Sequence, residues 1–180
     1  VLAILLFCCT LSSKAQVVIN EIMAANSSVV ADPDFGEYAD WIELYNASTA
    51  DVDLSGCFLT DNISDSSKWQ IPGGTFIPAN GYLLFWADGE DVGSHCSFKL
   101  SSKGEEVALY DTNLLLLDSL TFSSQQTNIS FGRSQDASIT WSWFSESTPG
   151  SSNNASLAFE GILYYPVFFS QTGGFFSTQQ

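Results

Sequence analysis

The sequence predicts an all-β domain built as a sandwich or barrel of about nine short strands. Three observations lead to this prediction. Stretches of alternating or continuous apolar residues recur along the chain, Gly, Pro, Asn and Asp separate them, and apolar residues never follow helical spacing over three turns. Short strands joined by tight turns at this spacing are typical of sandwiches and barrels. With 45% apolar and 14% aromatic residues in 180, the chain can also form a folded core.

The first four predicted strands have the clearest patterns. Residues 16–24 (QVVINEIMA) are rich in β-branched side chains, which favour strands. In residues 39–46, side chains alternate, so Trp41, Glu43 and Tyr45 share one face while Ile42 and Leu44 share the other. Residues 52–60 alternate again, and residues 81–87 (GYLLFWA) are apolar on both faces, as expected of a central strand.

The remaining strands are shorter, and turn residues mark where they end. They are predicted at 98–100, 106–110, 114–122, 128–132 and 139–144. Residues 72–74 (PGG), 79–81 (ANG), 88–89 (DG) and 111–113 (DTN) supply the conformations or side-chain hydrogen bonds of tight turns.

The first fifteen residues are predicted to be an export signal. Residues 1–10 are apolar over the length of a signal core, which is too short to span a bilayer. Ser13 and Ala15 are small residues where a signal peptidase would cut, leaving Gln16 first. We therefore expect a secreted or cell-surface protein whose true start precedes Val1. The alternative is a buried N-terminal element. No later stretch is long enough for a transmembrane segment.

The domain boundaries are predicted from changes in composition. One domain is expected over residues 17–153, followed by a linker at 154–165, where small polar residues begin. The end of the chain is rich in Tyr and Phe, which need a core to cover them. We therefore expect residues 166–180 to start a second, truncated β-domain.

The charge balance limits the partners. The full sequence has a net charge of −15, and loss of residues 1–15 would remove one Lys and no acid, leaving −16. Such a surface repels nucleic acid phosphates and anionic lipids, so we expect no nucleic acid partner. It favours cations, basic partners or simple solubility.

Motifs spread along residues 17–153 together resemble a bacterial lamin tail domain. They are NEI at 20–22, DWIELYN at 40–46, LSG at 54–56, LTD at 59–61, Trp69 before IP at 71–72, IPANGY at 77–82, WADG at 86–89, FKL at 98–100, GEE at 104–106, LYD at 109–111, Asp118, and TPG at 148–150. Each motif is weak alone, but their order and spacing are specific.

The resemblance implies an immunoglobulin-like β-sandwich that serves as a non-catalytic binding or attachment module. Its partner would be a protein or glycan at the cell surface, together with further domains of the same chain. Residues 166–176 resemble the start of the C-terminal domain of chitobiase, which often follows in such proteins. The alternative function is an accessory domain of a larger secreted enzyme, a CotH-type kinase or a hydrolase.

An acidic stretch is the candidate metal site, with calcium as the possible cofactor. Its five carboxylates are Asp32, Asp34, Glu37, Asp40 and Glu43. Oxygen ligands on a Gly-containing loop suit Ca²⁺, although Gly36 is fifth from Asp32 rather than sixth and no helices flank the loop, which excludes an EF-hand. The alternative is a solvated acidic loop. Similar reasoning assigns Asp88, Glu90 and Asp91 to a solvated turn.

Two cysteines remain after the export signal, Cys57 and Cys96. Export makes a disulfide between them possible, and closing a loop of that length would contribute about 3 to 4 kcal/mol. The residues at both positions also depart from the usual lamin tail pattern. The alternative is two separate buried thiols.

No pattern indicates an active site. His95 is the only histidine, and the sequence has neither a nucleophile elbow nor a phosphate-binding loop with Lys. Trp141 and Trp143 alternate, so they would share one face of a strand. Exposed, they would form a platform on which sugar rings stack. Buried, they would belong to the core, which is the commoner fate of large aromatic residues.

Overall fold

The computed structural model describes residues 16–155, and this part of the chain is an all-β sandwich, as predicted. It contains eleven strands: β1 (Val17–Met23), β2 (Trp41–Asn46), β3 (Val52–Asp53), β4 (Phe58–Thr60), β5 (Trp69–Gln70), β6 (Phe76–Ile77), β7 (Tyr82–Trp86), β8 (Gly104–Tyr110), β9 (Leu116–Ser123), β10 (Ser130–Arg133) and β11 (Trp141–Phe144). A 3₁₀ turn, Asn153–Ala155, ends the described segment.

Two antiparallel sheets form the sandwich. The first sheet has the order β11-β10-β1-β2-β7 and the second has the order β5-β4-β8-β9. β3 and β6 form a separate two-stranded ribbon. β1 is therefore the centre of the first sheet, whereas β11 and β7 are its two edges among the described residues.

The core lies between the inner faces of the two sheets. Ile42 and Leu44 of the first sheet belong to the same buried cluster as Leu59, Val107 and Leu120 of the second. The alternation predicted for residues 39–46 is confirmed, because Trp41 packs on the opposite, outer face with Met23 and Trp86. Strand period therefore determines which side chains of β2 enter the core.

A β-bulge at Asn20 divides β1 into two halves. The register with β2 shifts between Ile19 and Glu21, so Ile19 and Ile22 both reach the core although they are three residues apart. Glu21 consequently points to the outer face, opposite Glu43. A bulge inserts one unpaired residue and locally disrupts the ladder.

Side chains bind the backbone groups of Ile19, which precedes the bulge and lies beyond the two residues of β1 that pair with β10. The N–H of Ile19 donates to Asp118 Oδ2 at 2.8 Å, and its carbonyl accepts from Arg133 Nε at 2.7 Å. Arg133 Nη2 and Asp118 Oδ2 pair with each other at 2.6 Å. This pair therefore ties β1 and β10 of the first sheet to β9 of the second.

Besides shifts of one or two residues at strand ends, the predicted strands differ from the structure in three places. Residues 52–60 divide into β3 and β4, because Gly56 turns the chain with a φ of 78°. Residues 98–100 are not a strand, and Lys99 makes only an isolated bridge to Asp88. The two-residue strands β5 and β6 were not predicted, since two residues are too few to show a period.

Candidate functional sites

The five predicted calcium ligands do not come together in one place. Asp32 and Asp34 lie in the loop between β1 and β2, and Glu37 in the same loop is exposed. Asp40 Oδ1 accepts from the N–H of Asn26 at 3.0 Å, and burial raises the pKa of Asp40 despite this bond. Glu43 lies on the outer face of β2, among a different set of partners.

Asp32 and Asp34 instead meet His95. The loop after β7 brings His95 back beside Trp86, with which it forms an isolated parallel bridge. His95 Nδ1 lies 2.6 Å from Asp88 Oδ2, while Nε2 lies 3.2 Å from Asp34 Oδ2 and 3.7 Å from Asp32 Oδ1. Three carboxylates from two loops therefore surround one imidazole, which is only 1% exposed.

The loop geometry fixes Asp32. Its side chain accepts from the N–H groups of Asp34 and Phe35, at 2.7 and 3.0 Å, and its carbonyl accepts from the N–H of Gly36 at 2.9 Å. Phe35 then places its ring 4.7 Å from the ring of His95. Burial opposes a charge on His95, but its hydrogen bonds with Asp88 and Asp34 outweigh burial and raise its pKa.

A second polar cluster is buried on the outer face of the first sheet. Glu21 and Glu43 face each other across β1 and β2, and both are fully buried. The segment after β11, residues 145–155, covers them. Thr148 donates to Glu21 through its N–H and its hydroxyl, and the N–H of Gly150 donates to Glu43 Oε2 at 2.6 Å. Asn20 Nδ2 donates to Glu43 Oε1 at 3.0 Å.

Burial disfavours a charge on both glutamates, most strongly on Glu43. Burial raises the pKa of Glu21, and burial raises the pKa of Glu43 to about 8 against the hydrogen bonds from Asn20 and Gly150. Asp136 behaves differently: burial disfavours its charge, but hydrogen bonds from Ser152, Tyr82 and Asn153 outweigh burial and lower its pKa. Thr148, Gly150 and Asn153 all donate to these carboxylates, so the cluster holds the segment after β11 against the outer face of the first sheet.

Cys57 and Cys96 are both buried and free in the structure. Cys57 follows the turn between β3 and β4 and lines a groove with Val17, Asp53 and Thr112. Cys96 lies in the loop after β7, where its N–H donates to the carbonyl of Trp86 at 2.7 Å. Burial raises the pKa of both thiols, which makes them poor nucleophiles. Because both thiols are free, the predicted bridge between Cys57 and Cys96 is not formed in this structure.

The predicted aromatic pair forms part of a row of rings at the β11 edge. Phe131 of β10 lies between the two tryptophans, with its ring centroid 5.3 Å from that of Trp141 and 4.5 Å from that of Trp143. The Arg133 guanidinium lies 4.8 Å above the Trp141 ring. Phe131 and Trp141 pack against the core, as the interpretation of Trp141 as a core residue predicts. Trp143, only partly buried, is not among the side chains packed there.

The architecture defines the class of protein: an immunoglobulin-like β-sandwich, a fold that fits a non-catalytic module. A family profile described as Lamin Tail Domain matches residues 10–124. The chain belongs to the lamin tail domain family. The match ends before β10 and β11, although both strands continue the same sheet as β1. No curated protein matches the sequence.

Within residues 16–155, the structure contains no helix with the length and apolar character needed to cross a membrane.

Proposed function

We propose that this lamin tail domain is a non-catalytic attachment module of an exported protein, and that it binds a neutral polysaccharide through Trp143. The observation that supports the proposal most directly is the partly exposed end of the aromatic row. The Trp143 ring contacts the Phe131 ring at a tilt of 39° but does not pack against the core. An indole held in place by a neighbouring ring offers a rigid apolar surface on which a sugar ring stacks.

The charge of the chain supports a neutral ligand. At a net charge of −15, anionic polymers are repelled, whereas an uncharged polysaccharide is not. Arg133 does not attract anions at this edge, because Asp118 pairs with it at 2.6 Å. The aromatic row therefore favours stacking over ionic recognition.

Replacing Trp143 by Ala is expected to abolish polysaccharide binding with little loss of stability. Binding is measured with the full chain, by depletion from suspensions of cellulose and chitin and by affinity electrophoresis in xylan. Because Trp143 does not pack against the core, its removal should lower the free energy of unfolding by only about 1 kcal/mol, the value of one aromatic pair.

The matched control is Phe76→Ala, which removes an exposed aromatic side chain on β6, away from the aromatic row. This variant should bind as the parent does. The proposal is wrong if none of the three polysaccharides is bound, or if Trp143→Ala binds as tightly as Phe76→Ala.

The wider organisation belongs to the same proposal. We infer an export signal at residues 1–15, a secreted or cell-surface location, a linker at 154–165 and a second β-domain from residue 166. The apolar leader with small residues at 13 and 15 supports export, and the aromatic residues after Tyr164 support a further core. All these segments lie outside the described residues, apart from the first two linker positions. Mass spectrometry of the exported protein tests cleavage: an N-terminus at Gln16 is expected.

A further inference from the structure

We propose that His95, Asp32 and Asp34 form a binding site for a divalent transition metal ion, with Asp88 as the residue that orients His95. The ligand atoms would be His95 Nε2, Asp32 Oδ1 and Asp34 Oδ2, with water completing the coordination. A nitrogen and two oxygens of this kind suit Zn²⁺. The site lies beside β7, at the edge of the first sheet opposite the aromatic row.

The two distances from His95 Nε2 fit a shared metal ion. Ligands about 2.0 to 2.2 Å from a tetrahedral zinc ion lie about 3.3 Å from one another. Nε2 lies 3.2 Å from the Asp34 oxygen and 3.7 Å from the Asp32 oxygen, on either side of that value. The atoms that lie within 4.8 Å of one another include Asp32 and His95 but not Asp34, so the Asp34 side chain, which is 62% exposed, would rotate toward Asp32 to complete the geometry.

Asp88 occupies the position of an orienting carboxylate. Single oxygen or nitrogen atoms of Asp32, Asp88 and His95 all lie within 4.8 Å of one another. However, Asp88 Oδ2 is only 2.6 Å from Nδ1, a hydrogen-bond distance that leaves no room for a metal between them. A carboxylate that accepts from Nδ1 leaves Nε2 free to ligate, and metal-binding histidines almost always have such a partner.

The net negative charge of the cluster favours a bound cation. Three carboxylates surround a single imidazole, so a net negative charge remains even when His95 is protonated. Among residues 16–155, lysine and arginine make two ion pairs within 4.0 Å, Lys68–Asp61 and Arg133–Asp118, and neither involves this cluster. A divalent cation would balance the remaining charge and link the two loops.

The experiment is a zinc titration of the tag-free full chain after chelator treatment, followed by calorimetry and by thermal unfolding. One zinc ion per chain is expected, with a rise in the unfolding midpoint because the ligand binds the folded state. Asp34→Asn should weaken binding at least about 10-fold, His95→Gln should abolish it, and Asp88→Asn should weaken it about 10- to 100-fold.

Asp65→Asn is the control, because it makes the same change at an exposed position outside the cluster. It should leave the affinity unchanged. Asp34→Asn keeps the test decisive if His95→Gln fails to fold, since the Asp34 side chain is mostly exposed. The proposal is overturned if zinc does not bind or if Asp34→Asn binds zinc as the parent does. Cobalt, added in place of zinc, provides a spectroscopic check: a thiolate charge-transfer band would place the metal on a cysteine and would also overturn the proposal.

Discussion

Replacing Asp118 by Ala is expected to lower the free energy of unfolding by about 3 to 5 kcal/mol, the cost of leaving a buried charge without its partner. Two losses combine at this position. The guanidinium of Arg133, whose side chain is 8% exposed, loses its carboxylate, and the N–H of Ile19 loses the oxygen that accepts from it at 2.8 Å. Urea unfolding monitored by tryptophan fluorescence measures the change.

Asp61→Ala provides the matched control. Asp61 pairs with Lys68 at 2.5 Å, but the Lys68 side chain is 33% exposed. The Asp61 side chain is only 13% exposed, but the Lys68 ammonium that would lose its partner stays in contact with water, so the expected loss is smaller, about 1 kcal/mol. Equal losses in the two variants would contradict the structural role assigned to Asp118, and so would a loss near zero for Asp118→Ala.

The sequence predicts the parts of the fold that depend on local period. The alternation in β2 correctly places Ile42 and Leu44 inside and Trp41 outside, because neighbouring side chains of a strand point to opposite faces. The bulge at Asn20 is not visible in this way. It shifts the register by one residue, and the side chains that bind the backbone beside it, Asp118 and Arg133, lie about a hundred residues further along the chain.

The candidate metal site shows why only part of a site can be predicted. Asp32 and Asp34 are close in sequence, so their clustering suggests a cation site. The loop after β7 then supplies His95 and Asp88, more than fifty residues further on, while Glu43 turns to the outer face of β2. A lone histidine gives no spacing to interpret. Its role becomes visible only when the register of β2 and β7 brings the two loops together.

The domain is expected to become less stable as the pH rises from about 5 to about 8. The pKa of Glu43 is raised from 4.5 to about 8 by burial, so the folded state holds a proton that the unfolded state releases. The stabilisation is complete below pH 4.5, decreases as the pH rises through this window and levels off above about 8. Since each tenfold change in proton affinity corresponds to about 1.4 kcal/mol, the loss of stability is on the order of 3 to 5 kcal/mol.

Glu43→Gln should remove most of this pH dependence, because a neutral amide takes the place of the protonated carboxyl group. The groups that face Glu43 are Glu21 across the ladder and Asp136 beyond Asn20. Burial also raises the pKa of Glu21, and hydrogen bonds raise that of His95, so a smaller slope of the same sign should remain in the variant. Glu37→Gln makes the same substitution at an exposed position and should keep the slope of the parent.

Urea unfolding from pH 5 to pH 8, with chelator present throughout, measures the parent and the two variants. A parent stability that is constant or rises over this range would show that Glu43 is ionised in its buried position, and would contradict a protonated Glu43 beneath the segment after β11.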